Sequence, residues 1–368
     1  MRVAIDATPL LGPRTGIGTY TANLLDRLAG AGADVDLVAT AFTARGAGAL
    51  AAHLPASVRV RARPVPARVL RAAWLAGTGP SVELLTGPVE VFHGTNFVVP
   101  PLRHAAGVVT IHDLGYLRNP ATVTSDSLAY RRLVPLALGR GVHVCTPSRA
   151  VAHQVSDAYA VAPERIHVTP LGVDPAWAAA SAPGPELRAA LGLPPDYLVA
   201  VGTLEPRKNL ALLIEAYRLA LQRGTELPPL VLVGARGWGA ALDTSALPDD
   251  RIRRTGHLPL EQLRQVVAGA GALLFPSIDE GFGLPPLEAL ACGTPVVCAD
   301  LEVTREVLGD QASYADPRSV GAFLSAVEAS LGQPVGTPAT RRAHAAAFTW
   351  QACAEATLTA YRDAASDR

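Results

Sequence analysis

The stretch Tyr197-Leu-Val-Ala-Val-Gly202, running through Thr203-Leu-Glu-Pro-Arg-Lys-Asn209 into Leu210-Ala-Leu-Leu-Ile-Glu-Ala-Tyr-Arg-Leu-Ala-Leu221, decides the fold. A short unbroken apolar run ending in glycine reads as a buried parallel strand, and apolar residues at helical spacing after it read as a helix packed back onto the sheet. The loop between them ends at a helix N-terminus, where backbone amides favour an anion. The chain itself opens in the same way: Arg2-Val-Ala-Ile-Asp6 runs through Thr15-Gly-Ile-Gly18 into Thr19-Tyr-Thr-Ala-Asn-Leu-Leu-Asp-Arg-Leu28.

Further apolar runs extend each opening into a series. In the first half the strand candidates are Val3–Ile5, Asp36–Ala39, Val58–Arg61, Val89–Phe92, Val108–Ile111 and Val142–Cys145. In the second they are Tyr197–Val201, Leu230–Val233, Ile252–Thr255, Ala272–Phe275 and Pro295–Cys298. Strands alternating with helical segments predict an α/β protein of two Rossmann-like, doubly wound parallel sheets in tandem. The 368 residues suit two domains at about 150 residues each. The turn-rich passage from Thr169-Pro-Leu-Gly-Val-Asp174 to Pro195 places the boundary, giving domains 1–172 and 173–348, with a ligand cleft expected between them.

Composition narrows the function. Hydrophobic residues make up 49% and charged residues 17%, which predicts a core-rich globule rather than a disordered chain. Lys+Arg and Asp+Glu both number 32, so the overall field of a nucleic-acid binder is missing. Cys145, Cys292, Cys298 and Cys353 form neither a disulfide framework nor a Cys-x-x-Cys zinc pair, which points to a reducing cytoplasm. Asp6 interrupts the first apolar run, so a signal peptide is not expected, and no window approaches the ~20 apolar residues of a membrane span. Peripheral contact with the inner face of a membrane stays open.

The chain holds one lysine, Lys208. It sits beside Arg207 just before a helix, where cations are disfavoured by the positive helix end, so a compensating anion is expected. A diphosphate suits the pair, with Arg207 forking onto two oxygens and Lys208 following the leaving-group charge. The bland alternative is a salt bridge to Glu205 or to another carboxylate.

The segment Glu280-Gly-Phe-Gly283-Leu-Pro-Pro-Leu-Glu288 places two carboxylates around a glycine-rich loop. Glu280 is expected in the loop and Glu288 in the first turn of the following helix, with Pro285 and Pro286 suited to its start. An ionised carboxylate accepts two hydrogen bonds from a vicinal diol, which a sugar and a ribose both offer. The amides of Phe282, Gly283 and Leu284 can face phosphate oxygens, while the bland reading of Glu288 is an acid near a helix N-terminus.

Three other features carry less specific signals. Gly12-Pro-Arg-Thr-Gly16-Ile-Gly18 has the spacing of the short-chain dehydrogenase turn, but that family pairs a tyrosine with a lysine four residues later and Leu204 stands four before Lys208. What remains is that Gly16 and Gly18 allow a close backbone approach to an anion, or merely turn the chain. His112, at the carboxyl edge of a strand in Thr110-Ile-His-Asp113, is the better placed histidine, with His93 the alternative. Leu37–Val82 carries Arg45, Arg59, Arg61, Arg63, Arg68 and Arg71 without one acid. It reads as a solvated basic face or as a surface for anionic lipid or a phosphorylated acceptor.

These motifs together resemble the retaining glycosyltransferases of family 4, most closely the mannosyltransferase B-like branch. The likeness runs from IDATPLLGPRTGIGTYTANLL through HGTNFVVPP, VVTIHDLGYLRNP, TPSRAVA and TPLGVD to VGTLEPRKNL and DEGFGLPPLEALACGTPVV. It implies the GT-B architecture, two Rossmann-like domains facing across a cleft, with a terminal helix, residues 349–368, returning to the first domain. It implies that Arg207 and Lys208 neutralise the donor diphosphate, that Glu288 binds the ribose and that Glu280 contacts the donor sugar. His112 would lie beside the transferred sugar, and Gly16 to Gly18 would approach the phosphate. Many relatives carry an arginine directly after the glycine that is Gly202 here, whereas this chain has Thr203, so Arg207 would take over that role and its division of labour with Lys208 stays open.

The function expected is transfer of a hexose, mannose from GDP-mannose favoured over a UDP-hexose, to an acceptor hydroxyl with retention. The acceptor would be a glycan, a lipid-linked sugar or a small-molecule aglycone, in polysaccharide, glycolipid or natural-product glycosylation. No metal or other cofactor is expected, because arginine, lysine and helix amides can stabilise a departing diphosphate. A nucleotide-sugar epimerase, a phosphorylase and a non-catalytic sugar-nucleotide-binding protein are the alternatives.

Overall fold

The computed structural model describes residues 1–12, 15–30, 35–43, 47–239 and 241–368; Arg14 of the glycine-rich turn and Arg45 of the basic stretch lie outside them. The chain divides into two compact units. One comprises Met1–Arg118, Ser125–Gly172 and Thr349–Arg368; the other comprises Asn119–Thr124 and Val173–Phe348. The segment Asn119–Thr124, assigned from sequence to the first unit, belongs to the second because its polar groups bond there. Asn119 Nδ2 donates to Asp279 Oδ2 at 2.9 Å, and Trp238 Nε1 donates to the Thr122 carbonyl at 2.9 Å.

The strands of the first unit are β1 (Arg2–Asp6), β2 (Asp36–Thr40), β3 (Phe42–Thr43), β4 (Arg59–Val60), β5 (Arg63–Pro64), β6 (Val91–Gly94), β7 (Ala106–Thr110), β8 (His143–Thr146) and β9 (Ile166–Val168). Seven of them form a parallel sheet in the order β4-β2-β1-β6-β7-β8-β9, while β3 and β5 pair separately. Buried β-branched and small residues such as Val3, Ala4, Ile5, Val108 and Val109 suit a sheet covered on both faces. The terminal helix Trp350–Ser366 packs on this sheet, capped by the Thr349 side chain, which accepts from the Ala352 amide. It enters past Gly172, where a Cβ would stand 2.1 Å from the Trp350 nitrogen, so only glycine allows the approach.

A buried polar chain ties that helix to the core. Tyr20 Oη pairs with Thr110 Oγ1 at 2.9 Å, Thr110 Oγ1 with His93 Nε2 at 2.7 Å, and His93 Nδ1 with Tyr361 Oη at 2.7 Å. His93 therefore has an internal partner on each ring nitrogen, and burial holds its pKa down to about 3, so it stays neutral. All four cysteines are buried and unpaired.

The strands of the second unit are β10 (Leu198–Val201), β11 (Leu230–Val233), β12 (Ile252–Gly256), β13 (Ala272–Phe275), β14 (Val296–Ala299) and β15 (Ser313–Ala315). All are parallel, in the order β12-β11-β10-β13-β14-β15, the 3-2-1-4-5-6 order of dinucleotide-binding sheets. Leu198, Leu230, Leu232 and Leu274 pack against Leu213 and Tyr217 of helix Leu210–Arg223 and Phe323 and Val327 of helix Val320–Gly332. Each such side chain contributes about 1.5–3 kcal/mol of burial. The strands β9 and β15 were not expected from sequence: each has three residues, broken by His167 or Tyr314, too short to show a period. Among the described residues, no helix is long and apolar enough to cross a membrane.

Candidate active site

In an open α/β sheet, ligands bind outside the carboxyl ends of the strands where the strand order reverses. In the second unit that point lies between β10 and β13. Gly202 leaves β10 at φ +144°, and a Cβ there would stand 3.2 Å from Lys208 Cε. The chain then makes a short turn, Pro206–Lys208, and Asn209 starts the helix from a left-handed conformation with φ +52°. Asn209 Nδ2 donates to the carbonyls of Pro276 at 3.2 Å and Pro317 at 2.9 Å, and the Ile278 amide donates to the Arg207 carbonyl at 3.0 Å. These bonds lock the loops after β10 and β13 together.

The locked loops bring Arg207, Lys208 and Glu280 into one cluster. Lys208 Nζ donates to Glu280 Oε1 at 2.7 Å, and Arg207 Nη1 donates to Glu280 Oε2 at 2.9 Å. Arg207 also donates through Nη2 to Glu205 Oε1 at 3.0 Å and through Nη1 to the Asp279 carbonyl at 3.0 Å. Lys208 Nζ lies 4.8 Å from the centre of the Phe275 ring, a cation–π contact. The expected anion beside the two cations is thus supplied, in this structure, by the protein. Burial alone would raise the Glu280 pKa, but Arg207 and Lys208 outweigh it and hold it at about 2. Burial raises that of Glu205, an effect the same cations only partly offset. Glu205 was visible in the sequence only as the bland partner of Arg207; the structure makes it half of a clamp that sets the guanidinium plane.

Gly283, at φ +93°, holds the left-handed position from which helix Leu284–Cys292 departs. The amides of Phe282, Gly283 and Leu284 bond to no acceptor among the described residues. The Phe282 ring turns inward, 4% exposed, edge-on to Phe348 at 5.8 Å. Because the helix starts only at Leu284, Glu288 stands in its second turn, not its first. Glu288 is partly buried, and no hydrogen bond to its carboxyl exists among the described residues; the nearby Arg264 bonds instead to Asp174, at 2.9 Å. Burial, only partly offset by Arg264, pushes the Glu288 pKa up to about 8, so the carboxyl is largely protonated at neutral pH, whereas an ionised group was expected. Thr203, the residue after Gly202, is partly buried beside Gly237, whose Cβ would meet Thr203 Cγ2 at 2.7 Å.

The first unit places its own candidates at the carboxyl edge of its sheet. Gly16 is the first residue of helix Gly16–Gly30, and a Cβ there would meet nothing within 4 Å; Gly18 is buried one step further along. His112 follows β7, and its Nε2 donates to the Thr95 carbonyl at 2.8 Å, which leaves Nδ1 as an acceptor with no partner among the described residues. Tyr20 and Phe97 hold the ring edge-on at 5.2 and 5.7 Å. Burial lowers the His112 pKa, against the Thr95 bond and Asp113, so the imidazole is neutral.

Sequence comparison identifies the family. The family model "Glycosyltransferase Family 4" matches residues 14–177, and "Glycosyl transferases group 1" matches residues 185–346. The O-antigen chain mannosyltransferase B of Escherichia coli is 32% identical over 282 residues, covering 74% of each chain. The chain belongs to glycosyltransferase family 4. Another relative of this glycosyltransferase, the D-inositol 3-phosphate glycosyltransferase of Kineococcus radiotolerans, is 31% identical over 71% of this chain and 67% of its own length. Among solved structures, Anabaena HepE in complex with UDP and glucose superposes with a TM-score of 0.72 at 18% identity, covering 98% of each chain, which shows the shared GT-B fold.

Proposed function

We propose that this glycosyltransferase moves a hexose from a nucleoside diphosphate sugar to an acceptor hydroxyl with retention of configuration, with GDP-mannose the favoured donor. The observation that carries the reading is the convergence of Arg207, Lys208 and Glu280 at the switch point of a 3-2-1-4-5-6 sheet. Arg207 and Lys208 shift from Glu280 toward the diphosphate as its charge grows, assisted by the amides of Phe282 to Leu284. The Glu280 carboxylate keeps acceptor capacity for a sugar hydroxyl beyond its bonds to the two cations. Glu288 reads the ribose, and His112 offers Nδ1 to a hydroxyl of the transferred sugar. The leaving phosphate assists deprotonation of the acceptor in a front-side attack, which needs no protein nucleophile. The mannosyltransferase relative favours mannose, while HepE, solved with UDP, keeps a UDP-hexose as the second donor. The acceptor is a glycan, a lipid-linked sugar or a small aglycone.

A thermal-shift panel of GDP, UDP, ADP and TDP tests the nucleotide. The cognate base at 100 times its Kd adds about 2.7 kcal/mol of stability, and GDP is expected to lead. Transfer from GDP-mannose is then followed by release of GDP and by the anomeric configuration of the product. An inverted product or an epimerised donor would overturn the reading.

A further inference from the structure

A cavity of about 850 Å³ lies in the first unit against its edge strand β4, and four arginines, Arg2, Arg59, Arg61 and Arg63, stand in its wall. Strand geometry explains why they converge. Arg59-Val60-Arg61-Ala62-Arg63 is extended: Arg59 pairs with Val38, the Arg61 amide donates to the Ala39 carbonyl at 2.9 Å, and Arg63 pairs with Phe42. The whole run Arg59–Pro64 borders the cavity, so its three arginines, at alternate positions about 6.6 Å apart along the chain, all stand in the same wall. Arg2 joins them because β1 pairs with β2 at Arg2 and Asp36.

The compensation within this row is uneven. Asp36 answers two of the four: Arg2 Nε donates to its Oδ2 at 2.8 Å, and Arg59 bonds the same oxygen. Arg61 and Arg63 are exposed, with no ion pair or side-chain hydrogen bond among the described residues. Two guanidiniums without a side-chain partner among the described residues thus share a concave wall with two that one carboxylate half-neutralises. The planar guanidinium fork matches phosphate oxygens, and its weak hydration favours such contacts. The cavity takes in the start of β1 and Leu85–Pro88, from the end of helix Val82–Thr86 to the residues ahead of β6, whereas Gly16 and His112 follow the ends of β1 and β7.

We propose that this cavity binds a phosphate-bearing group, gripped by Arg61 and Arg63 with Arg2 and Arg59 behind them. The group is a soluble diphosphate or the headgroup of a phospholipid. The site is independent of the donor reading, since every residue that forms it belongs to the other unit.

Hydrogen–deuterium exchange on the full chain tests it, with inorganic pyrophosphate as one probe and phosphatidylcholine vesicles with and without phosphatidylglycerol as the other. Slower exchange within 58–64 and 84–88 on adding pyrophosphate supports a soluble ligand. The same protection from phosphatidylglycerol vesicles alone supports a headgroup. In either case Arg61→Gln/Arg63→Gln should weaken apparent affinity by about tenfold or more. Both side chains are exposed, so the variant keeps its fold, which circular dichroism checks. Protection with neither probe, or protection unchanged in the double variant, overturns the proposal. Pyrophosphate bound at Arg207 and Lys208 would protect 203–209 and 277–284 instead, so the two readings fail separately.

Discussion

At the switch point of the second sheet, between β10 and β13, two cations and two carboxylates interlock: Arg207 between Glu205 and Glu280, and Lys208 on Glu280. At the corresponding point of the first sheet, between β1 and β6, the groups are neutral or paired locally. Asp6 Oδ1 accepts from the Thr8 amide at 2.9 Å and from its hydroxyl at 2.5 Å, Thr95 Oγ1 donates to the Asp6 carbonyl at 2.6 Å, and His112 leans on the Thr95 carbonyl. Two sheets of like topology therefore carry unlike chemistry at the same position. Paired charge stands at one point and neutral hydrogen-bonding groups at the other; on the proposed reading the first meets the donor diphosphate and the second the sugar hydroxyls. The loops, not the sheets, make this difference.

Removing charge from the second unit should break the comparison most severely. Lys208→Ala is expected to keep the fold and to lower kcat/KM by roughly 30- to 1,000-fold, the rate equivalent of about 2 to 4 kcal/mol at a leaving group. Arg207 keeps Glu280 paired in that variant, so the stability loss should be small beside the rate loss. Steady-state kinetics with near-normal circular dichroism would confirm it, and an unimpaired kcat/KM would remove Lys208 from the chemistry.

The next effect concerns Glu288, which differs from its sequence neighbour Glu280 in having no bonded cation among the described residues. Its carboxyl stands at about 8 in the folded chain against an ordinary 4.5, so the folded state holds the proton more tightly than the unfolded one. The stability this proton contributes is complete below about pH 4.5 and is lost as pH rises through about 8. Glu288→Gln, which cannot ionise, should flatten that decline by roughly 2 kcal/mol or less, allowing for the part-exposed side chain. Thermal melts of both proteins between these limits measure it; parallel curves would mean that Glu288 ionises freely.

The contrast between these two glutamates also marks what sequence could convey. The paired strand, loop and helix openings were legible because buried parallel strands and a helix N-terminus leave local patterns, and so was the proximity of Arg207 and Lys208. What Glu280 bonds to was not legible, because its bonds to both cations cross from one loop to another and depend on Asn209 clamping the loops together. Nor was the protonation of Glu288, which follows from burial beside an Arg264 already engaged by Asp174. The first turn expected for Glu288 became the second because Gly283 delays the helix by its left-handed backbone.

A smaller effect should follow from altering the first unit's neutral site. His112→Ala removes one neutral hydrogen-bond acceptor, so kcat should fall about tenfold while nucleotide affinity stays unchanged. Because burial lowers the His112 pKa, the variant's pH profile should keep the parent's shape around neutral pH, differing from it in height alone. A loss of nucleotide affinity matching that of Lys208→Ala would erase the distinction between the units.

The smallest effect is expected from removing divalent metal. A metal ion's usual service to a diphosphate leaving group is to neutralise charge as it develops. Here Arg207 and Lys208 supply two positive charges at the same strand ends, held ready on Glu280, and the amides of Phe282 to Leu284 bond to no acceptor among the described residues. Transfer in excess chelator should therefore stay within about twofold of the untreated rate, a change under about 0.5 kcal/mol. The same assay sharpens the comparison when run on Lys208→Ala. If the lysine does the work of a metal, added Mg²⁺ should partly restore that variant while leaving the parent enzyme unchanged. Loss of the parent's activity in chelator, recovered with Mg²⁺, would instead show that the two cations only position the donor and that the leaving-group charge is met by an ion.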